Sequence, residues 1–306
     1  MPDNAVLVTG AHGFIGRHVS RLFNKNGWTV IGMGHGDWST SEWKRWGLAD
    51  WHPGDIDLDS LKQVRLPFRL IVHCAGSGSV GYSIQDPKGD FDRTVGTAVA
   101  VLEFIRNRSP RPSLVYPSSF AVYGEASVLP TPEDQPFNPI SPYGFHKMFA
   151  EELCRYYGAY YGVSTVLVRL TSVYGNGLRK QLLWDACRKF QEGRPLFSGT
   201  GKETRDWLHV EDASELLRLA HHHASPQCPA VNGGSGVGAS VREVLAEIST
   251  RMSRPGAPSF SNEVSKGQPD HYLADVRRVA SWGWSPKIDW KTGFGNYVEW
   301  FLKEKP

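Results

Sequence analysis

A glycine-rich loop placed directly after the first apolar run is the feature that most restricts how this chain can fold. Residues 5–9 are apolar enough to form a buried strand, and a helical pattern at 14–26 follows a loop with glycines at 10, 13 and 16. Gly10 would permit a tight turn, Gly13 the approach of a pyrophosphate, and Gly16 close packing of helix on strand. A phosphate there would meet free N–H groups and the positive end of a helix dipole. The loop therefore predicts a dinucleotide site, with simple strand–helix packing as the alternative.

The first half of the chain alternates short strand-like runs with helical patterns. Buried strands are expected where a few apolar residues follow one another, and helices where apolar residues recur every three or four positions. Further strands are predicted at 28–33, 70–74, 113–116 and 163–170, and further helices at 94–107 and 142–161. Strands separated by helices indicate βαβ units and a parallel sheet covered on both faces. The predicted fold class is α/β, a Rossmann-type doubly wound parallel sheet with a smaller C-terminal lobe.

The pattern of the sequence changes after residue 174. Glycine-containing turns divide the remainder into short pieces, and amphipathic helices are expected at 241–252 and 290–303. The chain has 306 residues, more than one hydrophobic core usually serves. We therefore predict an NAD(P)-binding domain at 1–174 and a substrate-binding lobe at 175–306. Packing of part of 205–223 back on the sheet is left open.

Charge and cysteine usage exclude several classes of protein. A net charge of +3 is too small to predict a nucleic-acid or membrane partner. The four cysteines are scattered without a C-x-x-C pair, which argues against a zinc site or a disulfide framework and for a reducing compartment. The histidines at 221–223 have no acidic or cysteine ligands at suitable spacing, so they are interpreted as a helix end and no metal site is predicted. Because the apolar run at 5–8 is far shorter than a signal or membrane segment, we expect a cytoplasmic protein.

The end of the second predicted strand bears on the choice of dinucleotide. Enzymes that bind NAD usually carry an acid about twenty residues after the glycines, where it accepts a hydrogen bond from the ribose 2′-hydroxyl. Gly34 stands 18 positions after Gly16, where that acid is expected, and no acid follows before Asp37. A missing carboxylate removes repulsion against a 2′-phosphate, and Arg17 or His35 is a candidate to lie near one. The cofactor is thus NAD or NADP, one dinucleotide per subunit.

A tyrosine and a lysine, Tyr143 and Lys147, lie four residues apart near the start of the helix predicted at 142–161. This spacing puts both side chains on one helix face, and Ser141 can cap the helix with Pro142 in its first turn. A phenol with an ordinary pKa of about 10 is a poor base at neutral pH. The lysine ammonium, together with the positive ring of an oxidised nicotinamide, would stabilise the phenolate and lower that pKa.

Two hydroxyl groups follow the strand predicted at 113–116. Ser118 and Ser119 would occupy the carboxyl end of the sheet, where ligands of open α/β folds bind. A hydroxyl at this place can hydrogen-bond a substrate oxygen while Tyr143 exchanges its proton. A Tyr–Lys pair alone is common on helix surfaces. The glycine loop, the serine-bearing strand end and the Tyr–Lys helix in this order are much harder to obtain by chance.

In these motifs the chain resembles the extended short-chain dehydrogenase/reductase family, especially its nucleotide-sugar epimerases such as the UDP-galactose 4-epimerases. The resemblance covers nearly the whole chain. Beyond the glycine loop and the Tyr–Lys pair, it includes the segments 73–76, 80–83, 118–124, 169–175, 200–212 and 273–275.

The resemblance implies roles for individual positions. Tyr143 would be the acid/base, and Lys147 would lower its pKa and hold the ribose. Ser119, five residues before Gly124, matches the catalytic hydroxyl of the family better than Ser118. The positions implied to bind the dinucleotide are Gly10, His12, Gly13, Phe14, Ile15, Gly16, Arg17, Gly34, His35, Asp55, Ile56, Ala75, Gly76, Ser118, Tyr143 and Lys147. Those implied to bind the nucleotide-sugar substrate are Ser77, Ser79, Ser119, Tyr143, Ser172, Arg205 and His271.

Some of these positions carry alternatives or departures. Arg205 matches an arginine that holds the diphosphate of a sugar nucleotide, a task that suits a bidentate guanidinium. A surface arginine paired with Asp206 or Asp212 is the alternative. Thr94 and Ser172 stand where relatives commonly have Asn, which puts part of the cofactor and substrate contacts in doubt.

The resemblance also implies a homodimer, in which the helices at 94–107 and 142–161 pack across a two-fold axis. Apolar faces on both helices permit this arrangement, and burial inside one subunit explains them equally well. Their residues are Ala98, Val101, Leu102, Ile105, Phe149, Leu153 and Tyr157.

Three functions are weighed, and a fourth, dehydration, is set aside. In a nucleotide-sugar 4-epimerase, Tyr143 removes the C4 hydroxyl proton as hydride leaves C4, the 4-keto sugar rotates, and hydride returns to its other face. An NADPH-dependent 4-ketoreductase of a 4-keto-6-deoxy nucleotide sugar would use the second half of that cycle, and Gly34 favours it. Dehydration is disfavoured, because the apolar dipeptide after Ser119 replaces the Asp-Glu pair of relatives that dehydrate. A non-catalytic nucleotide-binding regulator would usually have lost Tyr143 or Lys147.

Overall fold

The computed structural model describes residues 4–253, 257–263, 267 and 269–304. Its strands are β1 (Ala5–Thr9), β2 (Thr29–Gly34), β3 (Leu48–Pro53), β4 (Leu70–His73), β5 (Ser113–Ser119), β6 (Thr165–Leu170), β7 (Ser172–Tyr174), β8 (Leu196–Phe197), β9 (Thr204–His209), β10 (Ala230–Gly233), β11 (Gly238–Ser240) and β12 (Ser259–Phe260). Its α-helices are α1 (Phe14–Lys25), α2 (Thr40–Arg45), α3 (Leu58–Gln63), α4 (Val80–Gln85), α5 (Pro87–Phe91), α6 (Thr97–Arg106), α7 (Pro142–Tyr161), α8 (Gln181–Gln191), α9 (Val210–Ala220), α10 (Val241–Arg251), α11 (Arg277–Ser281) and α12 (Trp290–Lys303).

A seven-stranded sheet with the order β10-β6-β5-β4-β1-β2-β3 carries the main part of the fold. Strand β1, the fifth in this order, runs parallel to both neighbours, with Val6 opposite Val30 on one side and Leu70 on the other. Every residue of β1 and β6 is buried, which accounts for their largely apolar sequences, because both faces of such a sheet are covered. Arg169 is the charged exception in β6. The predicted Rossmann-type α/β fold is confirmed. Within the described ranges, no helix is both long and apolar enough to cross a membrane.

The described residues form two compact units that alternate along the chain. The first unit holds the residues up to Gly124, then Phe137–Arg169 and Ser214–Val231. The second holds Glu125–Pro136, Leu170–Ala213 and the residues from Asn232 onward. The three-stranded sheet of the second unit has the order β11-β9-β7, with β9 parallel to β7 and antiparallel to β11.

Most of the apolar helix residues that could have faced a second subunit are buried in the core of the first unit. Ala98, Val101, Leu102 and Ile105 of α6 are buried together with Tyr157 of α7. Of the two explanations left open, burial inside one subunit therefore accounts for their apolar character, and the homodimer stays a prediction. The helix itself begins at Thr97, after a π-helical turn at Asp92–Gly96, and not at 94 as predicted.

A buried ion pair connects α7 to β6 in the first unit. Glu151 is 0% exposed and Arg169 is 2% exposed, with Nη2 of Arg169 2.8 Å from Oε2 of Glu151. Nη1 of Arg169 also donates to the hydroxyl of Tyr123 at 2.6 Å. Ser118 donates to the other carboxylate oxygen of Glu151 at 2.5 Å. The charges are thus paired and hydrogen-bonded, the condition under which buried ions are tolerated.

Breaking this pair should destabilise the chain strongly. In Glu151→Ala the Arg169 guanidinium stays buried without its counterion, and we expect the free energy of unfolding to fall by about 3–5 kcal/mol. Urea unfolding followed by circular dichroism measures this. Glu152→Ala is the matched control, since its carboxylate is 55% exposed on the same helix and should change stability by less than about 1 kcal/mol. Equal effects of the two substitutions would contradict the argument.

Candidate active site

In the glycine loop between β1 and α1, backbone atoms pack directly against other backbone atoms. Gly10 has φ +67, and a Cβ there would lie 2.6 Å from the amide nitrogen of Ala75, just after β4. A Cβ on Gly16 would lie 2.1 Å from the carbonyl oxygen of Gly10, and one on Gly13 would lie 3.0 Å from the same oxygen. Side chains at Gly10 and Gly16 are thus excluded by backbone atoms that cannot move aside. The tight-turn and close-packing roles predicted for these two glycines match this geometry.

The amino end of α1 is suited to an anion. Gly13 caps the helix without a side-chain hydrogen bond, and its first turn contains no acidic residue. The N–H groups at Phe14 and Ile15 therefore belong to the first turn, where an α-helix offers no carbonyl partner and the helix dipole is positive. A phosphate fits such a position. The cradle of glycines and the uncapped helix start together fit the pyrophosphate of a dinucleotide.

The end of β2 leaves little room for the acid found in many NAD enzymes. Gly34 has φ +144, and a Cβ there would lie 3.3 Å from the N and Cα of Gly10. His35, the next residue, is exposed, and its Nε2 lies 2.6 Å from Oδ1 of the exposed Asp55. The structure thus brings together two predicted cofactor residues. The neighbouring Ile56 is buried.

Three tryptophans lie near His12 and Arg17, two of the predicted cofactor residues, and the sequence did not single them out. The ring centroids of His12 and Trp38 are 4.9 Å apart, and those of Trp38 and Trp51 are 5.3 Å apart. Arg17 lies 5.9 Å from the Trp38 ring and 5.4 Å from the Trp46 ring, and its Nε donates to the carbonyl of His12 at 3.2 Å. Burial, followed by the Arg17 charge, lowers the pKa of His12. Neutral His12 and the indole rings offer an apolar surface on which a purine can stack.

The loop after β4 holds several predicted contacts in defined roles. Gly76 has φ +136, and the amide of Ser77 donates to Oγ1 of Thr94 at 3.4 Å. Ser79 caps α4 by accepting from the amide of Tyr82 at 3.2 Å. Thr94 thus anchors this loop where relatives commonly carry Asn.

A buried histidine supports the loop from inside the sheet and was missed by the sequence analysis. His73 is hydrogen-bonded to Thr9 at 2.7 Å and to Thr97 at 3.2 Å. Burial, followed by the Lys147 charge, lowers its pKa to about 3. It is therefore neutral and connects β1, β4 and α6 structurally. No spacing in the sequence links these three positions.

The two serines at the end of β5 have separate roles. Ser118 is buried and gives its hydrogen to Glu151 at 2.5 Å, so its side chain serves the buried ion pair. Ser119 accepts from the amide of Ala121 at 3.2 Å, which leaves its own hydroxyl hydrogen available. Ser119 is hydrogen-bonded to Tyr143. The geometry therefore supports the choice of Ser119 over Ser118 as the hydroxyl beside the tyrosine.

Helix α7 begins as its sequence predicts. Ser141 accepts from the amide of Gly144 at 3.2 Å, and Pro142 occupies the first turn. The amide of Tyr143 donates to Oγ of Ser83 at 3.0 Å. One turn later, the buried Nζ of Lys147 donates to the carbonyl of Pro117 at 3.0 Å. Tyr143 and Lys147 are thereby held against the end of β5.

Burial dominates the electrostatics of this pair. It lowers the pKa of Lys147 to about 8 and raises the pKa of Tyr143, while the hydrogen bond from Ser119 lowers the pKa of Tyr143. The sequence led us to expect that the lysine ammonium, together with the positive ring of an oxidised nicotinamide, would lower the pKa of the phenol. In the chain by itself desolvation penalises the phenolate more than its neighbours stabilise it, and the expectation for the cofactor-bound site stays a prediction. A positive nicotinamide ring is the remaining group that would lower this pKa.

The predicted substrate residues Ser172, Arg205 and His271 belong to the second unit. Nη1 of Arg205 donates to the carbonyls of Thr204 at 2.8 Å and Asp270 at 3.1 Å. Nδ1 of His271 lies 2.9 Å from Oγ1 of Thr204. The structure thus brings Arg205 and His271 to the same pair of segments, and it places Ser172 at the start of β7.

The alternative partners considered for Arg205 have other contacts. Asp206 accepts from the amides of Ser235 at 2.6 Å, Gly236 at 3.0 Å and Ala274 at 3.2 Å. Asp212 accepts from the amides at 287 and 288 at 3.1 and 2.9 Å. Both carboxylates therefore organise loops, which leaves the diphosphate role of Arg205 as the better-supported prediction.

Comparison with protein families agrees with these features. The model of the family described as the NAD dependent epimerase/dehydratase family matches residues 6–232. A protein of Methanocaldococcus jannaschii described as a putative UDP-glucose 4-epimerase is 29% identical over 96% of this chain and 97% of its own length. UDP-glucuronate 4-epimerase 3 of Arabidopsis thaliana is 30% identical over 97% of this chain and 76% of its own.

Solved structures with the same fold include enzymes in complex with nucleotide sugars. The UDP-glucose 4-epimerase of Thermotoga maritima with UDP-glucose superposes with a TM-score of 0.89 at 25% identity, covering 98% of this chain and 99% of that one. MoeE5 in complex with UDP-glucose and NAD superposes with a TM-score of 0.87 at 26% identity, over 98% and 99% of the two chains.

The glycine contact yields a test of dinucleotide binding. Because Gly16→Ala drives a methyl group into the carbonyl of Gly10, α1 must shift and the pyrophosphate cradle opens. We expect the Kd for NAD, measured by calorimetry, to rise at least about tenfold, or about 1.4 kcal/mol. Gly96→Ala is the control, since Gly96 is helical and has open space at its Cβ position. An unchanged Kd in Gly16→Ala would contradict the cradle.

Proposed function

The chain belongs to the NAD-dependent epimerase/dehydratase family, and we propose that it is an NAD-dependent 4-epimerase of a UDP-linked hexose. The observation that carries the proposal is the hydrogen bond between Ser119 and Tyr143. The buried Lys147 follows Tyr143 by four residues on α7. The relatives described as UDP-glucose and UDP-glucuronate 4-epimerases supply the reaction and the nucleotide.

The site residues divide the proton chemistry between them. Bound NAD would supply the hydride acceptor and donor for C4, and the positive charge of its oxidised ring would favour the phenolate. Tyr143 takes the proton of the C4 hydroxyl and later restores it. With substrate bound, Ser119 turns its hydroxyl hydrogen from Tyr143 to the oxygen at C4 and orients that oxygen towards the phenol. Lys147, fixed by the carbonyl of Pro117, holds the ribose and places a positive charge four residues after the tyrosine on α7.

The residues after Ser119 support epimerisation over dehydration. Dehydration at C5–C6 needs an acid and a base beside the sugar, and the corresponding positions here are Phe120 and Ala121, both buried. An apolar pair of side chains can neither remove the C5 proton nor protonate the departing hydroxyl. For this chain, epimerisation is therefore better supported than dehydration.

Gly34 supports a second candidate, the NADPH-dependent 4-ketoreductase. With no carboxylate at this position and with Arg17 and His12 nearby, repulsion against a 2′-phosphate is small. A reductase exchanges its cofactor at each turnover, whereas an epimerase returns the hydride it has taken. The two candidates thus differ in whether nicotinamide is consumed.

The substrate contacts proposed in the second unit centre on Arg205. Its guanidinium carbon lies 5.2 Å from the centre of the Tyr272 ring, and its Nη1 is held by two carbonyl groups. A planar, pre-oriented guanidinium suits bidentate binding of a diphosphate. We assign it to the pyrophosphate of the nucleotide sugar, with Ser172 and His271 as further contacts.

We also propose a homodimer that forms through the exposed aromatic face of α7. Phe145 and Phe149 are each 45% exposed, Tyr156 is 46% and Tyr160 is 73% exposed. Single exposed apolar residues are normal, but four exposed aromatics on one face of a helix mark an interaction surface. A second copy of this face is apolar and complementary by symmetry.

The free thiols of all four cysteines favour a cytoplasmic location.

The decisive assay is conversion of UDP-sugars by the purified chain. We expect C4 epimers of UDP-glucose, UDP-glucuronate or UDP-N-acetylglucosamine to interconvert without net change in absorbance at 340 nm. Tyr143→Phe should lower kcat by about 10²–10⁴-fold, since it removes the acid/base. Stoichiometric NADPH oxidation with a 4-keto sugar nucleotide would instead establish the reductase, and full activity in Tyr143→Phe would overturn both.

The dimer proposal is tested by introducing negative charges into the aromatic face. We expect wild type to sediment as twice the 34.1 kDa subunit and the variant Phe145→Glu/Phe149→Glu as a monomer, because each buried carboxylate would lack a partner. Leu302→Glu is the control, as Leu302 is 56% exposed on α12. A wild type that is monomeric at micromolar concentration would refute the proposal.

A further inference from the structure

The second unit contains a recess between the carboxyl end of β9 and helix α12, with a volume of about 360 Å³. His209, the last residue of β9, belongs to its lining. The side formed by α12 consists of Asn296, Glu299, Trp300 and Lys303. These four residues recur at intervals of three and four, so they share one face of the helix. None of the five has a part in the proposed active site, and we call their cavity the α12 recess.

His209 presents a buried hydrogen-bond donor to the α12 recess. The residue is 7% exposed, and its Nδ1 accepts a hydrogen bond of 3.3 Å from the amide of Glu211. An accepting Nδ1 carries no proton, so the ring is neutral and its hydrogen is on Nε2. Burial lowers the pKa of His209, in agreement with the neutral form. Within the part of the chain that the structure describes, no group accepts a hydrogen bond from Nε2.

The surroundings of Nε2 keep this nitrogen open to the recess. Gly175 has φ +148, and a Cβ there would lie 3.2 Å from Nε2 of His209, so a side chain at this position would crowd it. The ring itself is fixed edge-to-face against Tyr174, with the two centroids 5.3 Å apart. The hydroxyl of Tyr174 is sealed from solvent and has no partner among the described residues, whereas Nε2 is not sealed. A ligand in the recess can therefore reach Nε2.

The charged groups of the lining restrict the class of ligand. The carboxylates of Glu211 and Glu299 outnumber the ammonium of Lys303, which disfavours an anion. A metal ion is disfavoured because the open nitrogen of His209 carries a hydrogen, and no group of three His, Cys, Asp or Glu side chains in the described ranges could hold one. The ligand must accept from Nε2 and donate to carboxylates, and a hydroxyl group does both.

Trp300 supplies an apolar surface beside these polar groups. Its indole is half-buried, and it packs at centroid distances of 5.9 Å on Trp184 and 5.4 Å on Tyr297. These contacts restrict the orientation of the ring. An aromatic face buries apolar C–H groups well, and one face of a pyranose ring consists of them. The volume of about 360 Å³ lies at the small end of ligand sites.

We propose that the α12 recess binds a neutral polyhydroxyl compound of the size of one pyranose ring. Nε2 of His209 donates to one hydroxyl oxygen, and Glu211 and Glu299 accept from other hydroxyl groups. Trp300 packs against the C–H face. Arg205, assigned above to the diphosphate, precedes His209 by four residues, or about 13 Å along β9. The site is thus additional to the proposed nucleotide-sugar site, and it requires no activity of the chain.

The test is saturation-transfer NMR on the full chain with three neutral probes, methyl β-D-glucopyranoside, methyl β-D-galactopyranoside and myo-inositol. Excess UDP is present in every sample, so that the nucleotide-sugar site of the proposed function is occupied. We expect at least one probe to bind with a Kd of about 1 mM, the affinity that a ligand of this size attains. Excess inorganic phosphate should leave that Kd unchanged, because the lining is not basic.

Three variants locate the bound probe. His209→Phe keeps the ring packed on Tyr174 and removes the Nε2 donor, so the Kd should rise at least about tenfold. Asn296→Trp fills the recess from an exposed position of α12, and saturation transfer should disappear. Lys291→Gln is the matched control, because Lys291 is exposed on α12 and lies outside the recess. Its Kd should equal that of wild type.

Several outcomes would overturn the inference. Absence of saturation transfer to all three probes, or displacement of the bound probe by phosphate, would exclude a polyol site. A wild-type Kd in folded His209→Phe or in Asn296→Trp would place the probe elsewhere. If His209→Phe does not fold, Asn296→Trp decides alone, since it changes an exposed residue. Absence of 4-epimerase activity in wild type would remove the proposed function and leave this binding test untouched.

Discussion

The contact between the backbones of Gly10 and Gly16 is the constraint on which the rest of the site depends. It brings the start of α1 within van der Waals distance of the end of β1, and Gly10 in turn lies against Ala75 after β4. Two neighbouring strands and one helix thus meet without an intervening side chain. The resulting gap is lined by N–H groups, which is what a pyrophosphate requires. A single methyl group at Gly10 or Gly16 would force these backbones apart and disrupt the arrangement.

Helix α7 carries the chemistry of the first unit on one face. Tyr143, Lys147 and Glu151 follow one another at intervals of four residues, and each has a contact at the end of β5. The contacts are Ser119 with the tyrosine, the carbonyl of Pro117 with the lysine, and Ser118 with the glutamate. The reactive end of the helix is therefore held by the same strand end that supplies the catalytic hydroxyl. Burial makes the arrangement rigid, and it also shifts the pKa values of its members.

Much of this arrangement could be predicted from the sequence, and the exceptions have a physical cause. The bounds of β1, α7 and α12 are those that the sequence predicts. The pairs His146–Asp90 and Thr9–His73 escaped prediction because their members lie 56 and 64 positions apart. The sequence left open whether the apolar residues of α6 face a second subunit or the core, since periodicity shows which face of a helix is apolar but not what covers it. The exposed aromatics of α7 are what the fold leaves uncovered.

The sequence by itself determined the features that depend on neighbours along the chain. Glycine spacing, the Ser141 cap with Pro142, and the four-residue separation of Tyr143 and Lys147 are of this kind, because turns and helix faces are local. The tertiary structure alone decided which groups are buried together, and hence their protonation. Lys147 has a pKa of about 8 because strand ends and helices distant in sequence exclude water from it. Desolvation depends on all the surrounding atoms, so no local pattern of residues contains it.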